Sequence, residues 1–167
     1  MPTKTEMKIK VLFLDDIFSD LFRQTLDQEQ LIFDDTWSES LVREFSRTRD
    51  MGVTFEVVKS GAIDDWKQLI EKEKPDIVLL DLYWHEHARK KWGDVRKAVD
   101  ISLDTLKALR SAYKDLPVIQ YTLKPNQQLM EQSYEAGATF FLEKVPLAIA
   151  EVHCALKYIM IHLMRNR

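Results

Sequence analysis

Three aspartates each follow directly on a run of apolar residues. Asp15 and Asp16 follow the segment IKVLFL at 9–14, and Asp81 follows DIVLL at 76–80. Carboxylates that lie close together repel one another, and some of them bind protons unless a cation joins them. Mg²⁺ suits such a group because it is a hard ion that prefers oxygen ligands. If the two runs are neighbouring strands, the aspartates form a magnesium site rather than the polar start of unrelated loops.

Two further polar residues follow apolar runs in the second half of the chain. Thr122 comes after PVIQY at 117–121, and Lys144 comes after TFFLE at 139–143. A hydroxyl donor and an ammonium group beside carboxylates are useful when additional negative charge arrives, and a phosphoryl group carries such charge. Phosphoryl transfer depends mainly on positioning and charge neutralisation. The five residues together therefore predict phosphoryl chemistry at an aspartate.

The elements that must position these residues alternate between strands and helices. Apolar runs that become strands, joined by helical crossovers, predict an α/β fold with a parallel sheet covered on both sides. We expect a doubly wound, flavodoxin-like sheet of five strands in the order 2-1-3-4-5, whose first and third strands flank the ligand-binding switch point. The predicted strands are 9–14, 53–58, 76–80, 117–121 and 139–143, and the predicted helices are 17–28, 36–50, 64–74, 100–113, 125–136 and 147–165.

Helix-boundary signals are clear at several points along this pattern. Thr36 or Ser38 is expected to cap the second helix, and Pro125 is expected in the first turn of a later one. The two helices predicted within 17–50 make an extra helical segment after the first strand, longer than a minimal domain of this type needs.

Length and composition limit the alternatives. A chain of 167 residues suggests a single domain spanning 1–167. Its formal net charge of −3 argues against nucleic-acid binding, and its one cysteine, Cys154, excludes an intramolecular disulfide. The N-terminus lacks a signal-peptide pattern, and no uninterrupted apolar run approaches the roughly 20 residues of a membrane span. We therefore expect a cytoplasmic protein with no membrane partner.

The segments VLFLDD, DIVLLD, PVIQYT and FFLEK resemble, in this order, the receiver domain of bacterial two-component response regulators. The segment EAGATFFLEK is similar to the helix, strand and lysine of that family, and the resemblance covers nearly the whole chain. It is closest in kind to the stand-alone, chemotaxis-regulator-like receivers, since we expect no output domain after residue 167.

The resemblance implies a role for each acidic residue. Asp81 would accept a phosphoryl group from the phosphohistidine of a histidine kinase or a phosphotransfer protein. Mg²⁺ would be held by the side chains of Asp16 and Asp81, by Asp15 partly through water, and by the backbone carbonyl of Tyr83. The protein would then be a phosphoacceptor that catalyses only its own phosphorylation and dephosphorylation, and not an enzyme acting on other substrates.

The resemblance also implies how the phosphorylated state is sensed. Lys144 would pair with the phosphoryl oxygens, Thr122 would move toward them, and Phe141 would be the aromatic residue that swings inward. The signal would leave through the surface of the family's fourth helix, fifth strand and fifth helix, roughly residues 125–165. The receiver of that signal would be an unidentified downstream target or a second subunit in a homodimer.

Several features depart from the family pattern. Leu123 stands where a small residue is usual, and Val145 separates Lys144 from Pro146. The final helix is apolar on a second face, which we expect a partner to cover, unless the segment 82–98 or the extra helix within 17–50 folds over it. His85 and His87, in the long polar stretch at 84–98, favour packing on the neighbouring tryptophans over metal binding.

Three other classes of protein deserve comparison. A pseudo-receiver, a binding or scaffold module that is never phosphorylated, has the same fold but need not keep all five polar residues. A haloacid dehalogenase phosphatase needs a second aspartate two positions after the acceptor, where this chain has Tyr83. A dinucleotide-binding domain needs a glycine-rich turn after the first strand, and Asp15 and Asp16 are followed by Ile17 and Phe18.

Overall fold

A computed structural model describes residues 5–24 and 27–167, and within these ranges five parallel strands form one sheet in the order β2-β1-β3-β4-β5. The strands are β1 (Met7–Leu14), β2 (Val53–Ser60), β3 (Ile77–Asp81), β4 (Val118–Thr122) and β5 (Phe140–Glu143). This is the doubly wound, flavodoxin-like α/β fold that the sequence predicts. Each predicted strand is confirmed, with small differences at its ends.

Helices cover both faces of the sheet. In the part of the chain that the structure describes, they are α1 (Asp20–Arg23), α2 (Gln28–Phe45), α3 (Trp66–Glu73), α4 (His85–Trp92), α5 (Ala98–Ala112), α6 (Gln127–Ala136) and α7 (Ile149–Arg165). Successive strand residues point to opposite faces, so each strand contributes to two cores. Leu80 of β3 joins the core that contains Leu106 of α5, and Leu79 joins the core that contains Trp37 of α2 and Leu156 of α7.

The segment after β1 differs from its prediction. Instead of one helix over 17–28, the described residues form a short 3₁₀ turn at Asp16–Phe18 followed by the four-residue α1, and residues 25 and 26 lie outside the described ranges. The next helix, α2, begins at Gln28 and not at Thr36, because the side chain of Asp27 accepts a hydrogen bond from the Gln30 N–H at 2.8 Å and caps it. The proposed caps Thr36 and Ser38 are therefore wrong.

Two later boundaries also need correction. The polar stretch 84–98, for which the sequence predicts no helix, contains α4 and a 3₁₀ turn at Val95–Lys97. The helix expected to start with Pro125 in its first turn begins instead at Gln127, where the Asn126 side chain accepts a hydrogen bond from the Leu129 N–H at 2.8 Å.

The last helical stretch, Pro146–Arg165, has 20 residues and a mean hydropathy of 1.4, which is long and apolar enough to cross a membrane by length and composition alone. No uninterrupted apolar run marks this stretch in the sequence. In the structure α7 packs on α2 through Lys157, whose amine lies 3.2 Å from Glu44, and through His153, whose ring nitrogen lies 3.0 Å from the Ser40 hydroxyl. One side of the helix thus has a partner within the chain, while Tyr158, one of the residues on its second apolar face, is 51% exposed, so the prediction that a partner covers that face stays a prediction.

Candidate functional site

The predicted polar residues meet at the carboxyl edge of the sheet. Asp15 follows the last residue of β1, Asp81 and Thr122 are the last residues of β3 and β4, and Lys144 follows β5. Parallel strands end at the same edge, so the sheet itself brings these side chains together. All four side chains are buried, so the charges of Asp15, Asp81 and Lys144 must be paired.

Lys144 supplies the positive charge between two of the carboxylates. Its amine lies 3.3 Å from Asp15 Oδ2 and 3.7 Å from Asp81 Oδ1. Its own backbone N–H donates to the Thr122 carbonyl at 2.9 Å, which fixes the start of the loop after β5. A single ammonium group therefore bridges the ends of β1 and β3, where the sequence predicts phosphoryl chemistry.

Asp15 is held by three separate groups. Besides Lys144, the Tyr121 hydroxyl donates to Asp15 Oδ2 at 2.6 Å, and the backbone N–H of Ile17 donates to Asp15 Oδ1 at 3.0 Å. The turn that provides this N–H packs against Gly61 at the end of β2. A Cβ atom at Gly61 would lie 2.3 Å from the Ser19 nitrogen, so only glycine allows the turn to sit there.

The electrostatics of the site favour proton uptake by the acceptor. Burial, followed by the negative charge of Asp15, raises the pKa of Asp81 well above its usual value, and Lys144 opposes the rise. Burial alone would lower the pKa of Lys144, but Asp15, Asp81 and Asp34 together outweigh it and raise the pKa. The lysine is therefore charged at neutral pH, and further positive charge would be needed to keep Asp81 fully ionised.

Asp16 faces away from this cluster. Its carboxylate oxygen Oδ1 lies 3.5 Å from His87 Nδ1, on α4, and Asp16 is not among the residues that line the pocket around Asp81. Burial raises the pKa of Asp16 to about 6, while His87 acts to lower it. The prediction that Asp16 binds the metal ion directly stays a prediction.

Thr122, Tyr83 and Phe141 differ in how closely they approach the site. Thr122 and Tyr83 line the same pocket as Asp81, and the Thr122 hydroxyl accepts a hydrogen bond from the Lys124 N–H at 3.1 Å. Phe141 is half-buried and packs on the core beneath α5, outside the residues that line the pocket. Its assignment as a switch aromatic, like the carbonyl of Tyr83 as a metal ligand, stays a prediction.

Known structures that resemble this one are receiver domains of response regulators. The phosphorylated cyanobacterial phytochrome response regulator RcpA has a TM-score of 0.61 and 15% identity, with 96% of each chain covered. The Mn(2+)-bound form of response regulator Rcp1 has a TM-score of 0.60 and 14% identity, over 89% of this chain and 91% of that one. A CheY-like receiver domain protein from Methanospirillum hungatei has a TM-score of 0.56 and 17% identity, over 96% and 99%.

The chain has the receiver fold. The match spans nearly the full length of both partners in each comparison, with the same sheet order that the sequence predicts. No protein-family model and no curated protein sequence matches the chain. The resemblance of the four sequence segments to receiver domains is thus confirmed for the fold.

Sequence reasoning missed an acidic residue that this receiver fold places at the pocket. The pocket has a volume of about 220 Å³ and is lined by Asp15, Phe22, Gln30, Asp34, Asp81, Tyr83, His85, Thr122, Leu123, Lys124 and Lys144. Asp34 lies on α2, accepts a hydrogen bond from Gln30 at 3.0 Å, and has its pKa raised by burial. Only the packing of α2 over the sheet edge brings it there, so no local sequence signal could have identified it.

The residues present fit a divalent cation in their chemistry. Asp15 and Asp81 offer carboxylate oxygens to one pocket, and both oxygens of Asp16 are buried without a hydrogen-bond partner among the described residues. Oxygen donors of this kind are what Mg²⁺ prefers. Within residues 5–24 and 27–167, however, no three His, Cys, Asp or Glu side chains are grouped closely enough to hold an ion by themselves. Water or the phosphoryl group would have to complete the coordination.

Proposed function

We propose that the protein is a response regulator that accepts a phosphoryl group on Asp81 from the phosphohistidine of a histidine kinase or a phosphotransfer protein. The observation that carries the proposal is the position of Lys144, whose amine lies between the buried carboxylates of Asp15 and Asp81 at 3.3 and 3.7 Å. An ammonium group in a carboxylate-lined pocket can neutralise a phosphoryl group that joins one of those carboxylates.

The geometry favours one oxygen of Asp81 as the nucleophile. Oδ1 accepts a hydrogen bond from the Leu82 N–H at 3.0 Å and also faces Lys144. We therefore expect Oδ2 to attack phosphorus, while the P–N bond of the phosphohistidine breaks and its electron pair returns to the imidazole nitrogen. Lys144 would then pair with a phosphoryl oxygen, and the Thr122 hydroxyl would donate to another after it leaves its contact with Lys124.

The reaction requires an ionised Asp81, which burial opposes. Asp15 adds further negative charge and raises the pKa of Asp81, so Lys144 alone must compensate for two carboxylates. We propose that the carboxylates of Asp15 and Asp81, together with Asp16 once it turned toward the pocket, would hold Mg²⁺. The bound ion supplies positive charge to the phosphoryl oxygens.

The proposed function requires a protein that donates the phosphoryl group and a protein that responds to the phosphorylated state. A histidine kinase or phosphotransfer protein in the cytoplasm would reach Asp81 through the pocket mouth, and an unidentified target would read the phosphorylated state on residues 125–165. Exposed apolar residues in that region include Met130 and Tyr134 on α6 and Tyr158 on α7.

The test is thermal unfolding with Mg²⁺ and beryllofluoride, a phosphoryl mimic. A ligand that binds only the folded state at a hundredfold excess over its Kd stabilises by about 2.7 kcal/mol. The wild type should gain stability from Mg²⁺ and gain more from the two together, whereas Asp81→Asn should lose the beryllofluoride gain. Asp64→Asn is the control, because Asp64 is exposed and is not among the residues that line the pocket. A wild type that responds to neither reagent would favour a pseudo-receiver, which binds partners without being phosphorylated.

A further inference from the structure

One face of α2 changes from apolar to polar where the helix reaches the pocket around Asp81. Trp37 and Leu41 lie on this face and are buried in the core against the sheet. Gln30 and Asp34 continue the same face toward the start of the helix, at spacings of three or four residues that put side chains on one side. Both of them line the pocket. The helix therefore adds an amide and a carboxylate to a pocket whose phosphoryl acceptor comes from the end of a strand.

The amide of Gln30 is oriented by Asp34. Its nitrogen Nε2 donates to Asp34 Oδ1 at 3.0 Å, across one turn of the helix. A carboxylate accepts hydrogen bonds and donates none, so the amide presents its nitrogen to Asp34 and keeps its oxygen for another donor. Asp34 is itself buried, which limits the positions that its carboxylate can take. The side-chain oxygen of Gln30 is thus held as a hydrogen-bond acceptor at the pocket.

Contacts with neighbouring elements keep α2 in place over the sheet edge. Trp37 stacks on Tyr121 of β4, with 6.3 Å between the ring centroids and 17° between the ring planes. Arg23 of α1 donates two hydrogen bonds to the carboxylate of Asp35, at 2.9 and 3.2 Å. The same guanidinium donates to the Ile17 carbonyl at 3.3 Å, in the turn after β1. The amide at the start of α2 is therefore on an element that is fixed relative to the strand ends.

Water removes the phosphoryl group from an aspartyl phosphate. The water oxygen attacks phosphorus, the bond from phosphorus to Asp81 Oδ2 breaks with its electron pair left on the carboxylate, and a water proton passes to a phosphoryl oxygen. The products are the Asp81 carboxylate and inorganic phosphate. The attacking and leaving oxygens lie roughly in line, so a group that holds the water in this position raises the rate. The pocket volume of about 220 Å³ is several times the share of one water in the liquid, about 30 Å³, so it has room for a phosphoryl group and a water.

We propose that Gln30 is a positioning residue for this hydrolysis: its side-chain oxygen accepts a hydrogen bond from the attacking water, while Asp34 holds the amide in place. The inference rests on the proposed function and deepens it, because it names a residue of this chain that sets the lifetime of the phosphorylated state. The helical segment after β1, which is longer than a domain of this type needs, thereby has a function. It brings an amide to the phosphoryl acceptor.

The test is the rate at which the phosphorylated protein loses its phosphoryl group. The full chain is labelled with acetyl phosphate and Mg²⁺, desalted to remove the phosphodonor, and followed by mass spectrometry of the intact protein. Gln30→Met keeps the length of the side chain but removes the amide, so hydrolysis should slow about tenfold, the worth of one hydrogen bond in the transition state. Gln28→Met, the same substitution at an exposed position of α2 outside the pocket, should be hydrolysed like the wild type. The initial rate of labelling and the melting temperature should be the same in all three proteins, which a purely structural role of Gln30 would not give.

Two substitutions of Asp34 test how the amide is held. Asp34→Asn and Asp34→Leu remove the same charge, but only asparagine keeps an oxygen that accepts from the Gln30 nitrogen. The phosphorylated form of Asp34→Asn should therefore be hydrolysed faster than that of Asp34→Leu. Equal hydrolysis rates in these two variants would overturn the role given to Asp34 and with it the inference.

Three other results would also overturn the inference. They are equal hydrolysis rates in the wild type and Gln30→Met, an equal slowing in Gln28→Met, and a Gln30→Met protein whose labelling slows by the same factor as its hydrolysis. In the last case Gln30 would control entry to the pocket and not the attacking water. If Asp81 is labelled but its hydrolysis does not depend on Gln30, only this inference fails. If no aspartyl phosphate forms, the proposed function fails and this inference fails with it.

Discussion

His153 on α7 is a buried histidine whose protonation the fold opposes. Its side chain is fully buried, Nδ1 lies 3.0 Å from the Ser40 hydroxyl, and its ring packs edge-on at 4.1 Å from the centroid of Trp37. Burial, and then the positive charge of Lys144, lower the pKa of His153 from 6.5 to about 4. The unfolded chain therefore binds a proton here at a higher pH than the folded chain does.

This difference makes stability depend on pH in a defined direction. Between pH 6.5 and about 4 the unfolded state binds more protons at His153 than the folded state does. The free energy of unfolding is therefore unaffected by His153 above pH 6.5 and decreases as the pH falls below that value. At 1.36 kcal/mol per pKa unit, the full loss is about 3 kcal/mol. Phenylalanine keeps an aromatic ring at this position but has no titratable nitrogen. The free energy of unfolding of His153→Phe should therefore not show this decrease on acidification.

Urea unfolding followed by circular dichroism measures the effect at several pH values from about 7 down to about 4.5. Across this range the wild type should lose about 2.5 kcal/mol more than His153→Phe, because the full loss is reached only below pH 4. His162→Phe, the same substitution at an exposed position of α7, should follow the wild type. If the wild type and His153→Phe lose stability in parallel, the buried and neutral state assigned to His153 is wrong.

Three further substitutions test the charges and hydrogen bonds around the site, each by urea unfolding near neutral pH. Lys144→Met should lower the free energy of unfolding by about 3–5 kcal/mol, because it leaves buried carboxylates without a counter-charge. Added Mg²⁺ should recover part of this loss. An unchanged free energy of unfolding would contradict the pairing of Lys144 with Asp15 and Asp81. Tyr121→Phe should cost about 1.5–3 kcal/mol by removing the 2.6 Å hydrogen bond to Asp15, and a smaller cost would mean that Asp15 finds another donor. Glu44→Gln should lower the free energy of unfolding by several kcal/mol, because it leaves the buried Lys157 amine unpaired. The double variant Glu44→Leu with Lys157→Met should regain much of that stability, because neither charge is then buried.

Strand ends were the part of the molecule that the sequence predicted well. A run such as IVLL is apolar at every position because both faces of its strand are buried, and the first polar residue after it marks the sheet edge. Asp81, Thr122 and Lys144 were found in this way, and the parallel arrangement then required them to meet. The local pattern carries the information because each side chain is positioned by its own strand.

Residues placed by long-range packing could not be predicted in the same way. Asp27 and Thr36 are both acceptable helix caps, but α2 begins after Asp27, and Thr36 lies inside it with its hydroxyl donating to the Ile32 carbonyl at 2.7 Å. Asp34 reaches the pocket because α2 crosses the sheet edge, and His87 comes within 3.5 Å of Asp16 because α4 packs beside α1. These contacts join residues far apart in sequence, and no periodic pattern records them.

The central claim is that Asp81 accepts a phosphoryl group, and mass spectrometry tests it most directly. The intact protein is incubated with acetyl phosphate and Mg²⁺, and the modified residue is located by fragmentation. We predict the addition of one phosphoryl group on Asp81, none in Asp81→Asn, and normal labelling in Asp64→Asn. A wild-type protein that gains no phosphoryl group from acetyl phosphate or from any histidine kinase, or one modified equally well when Asp81 is asparagine, would contradict the account.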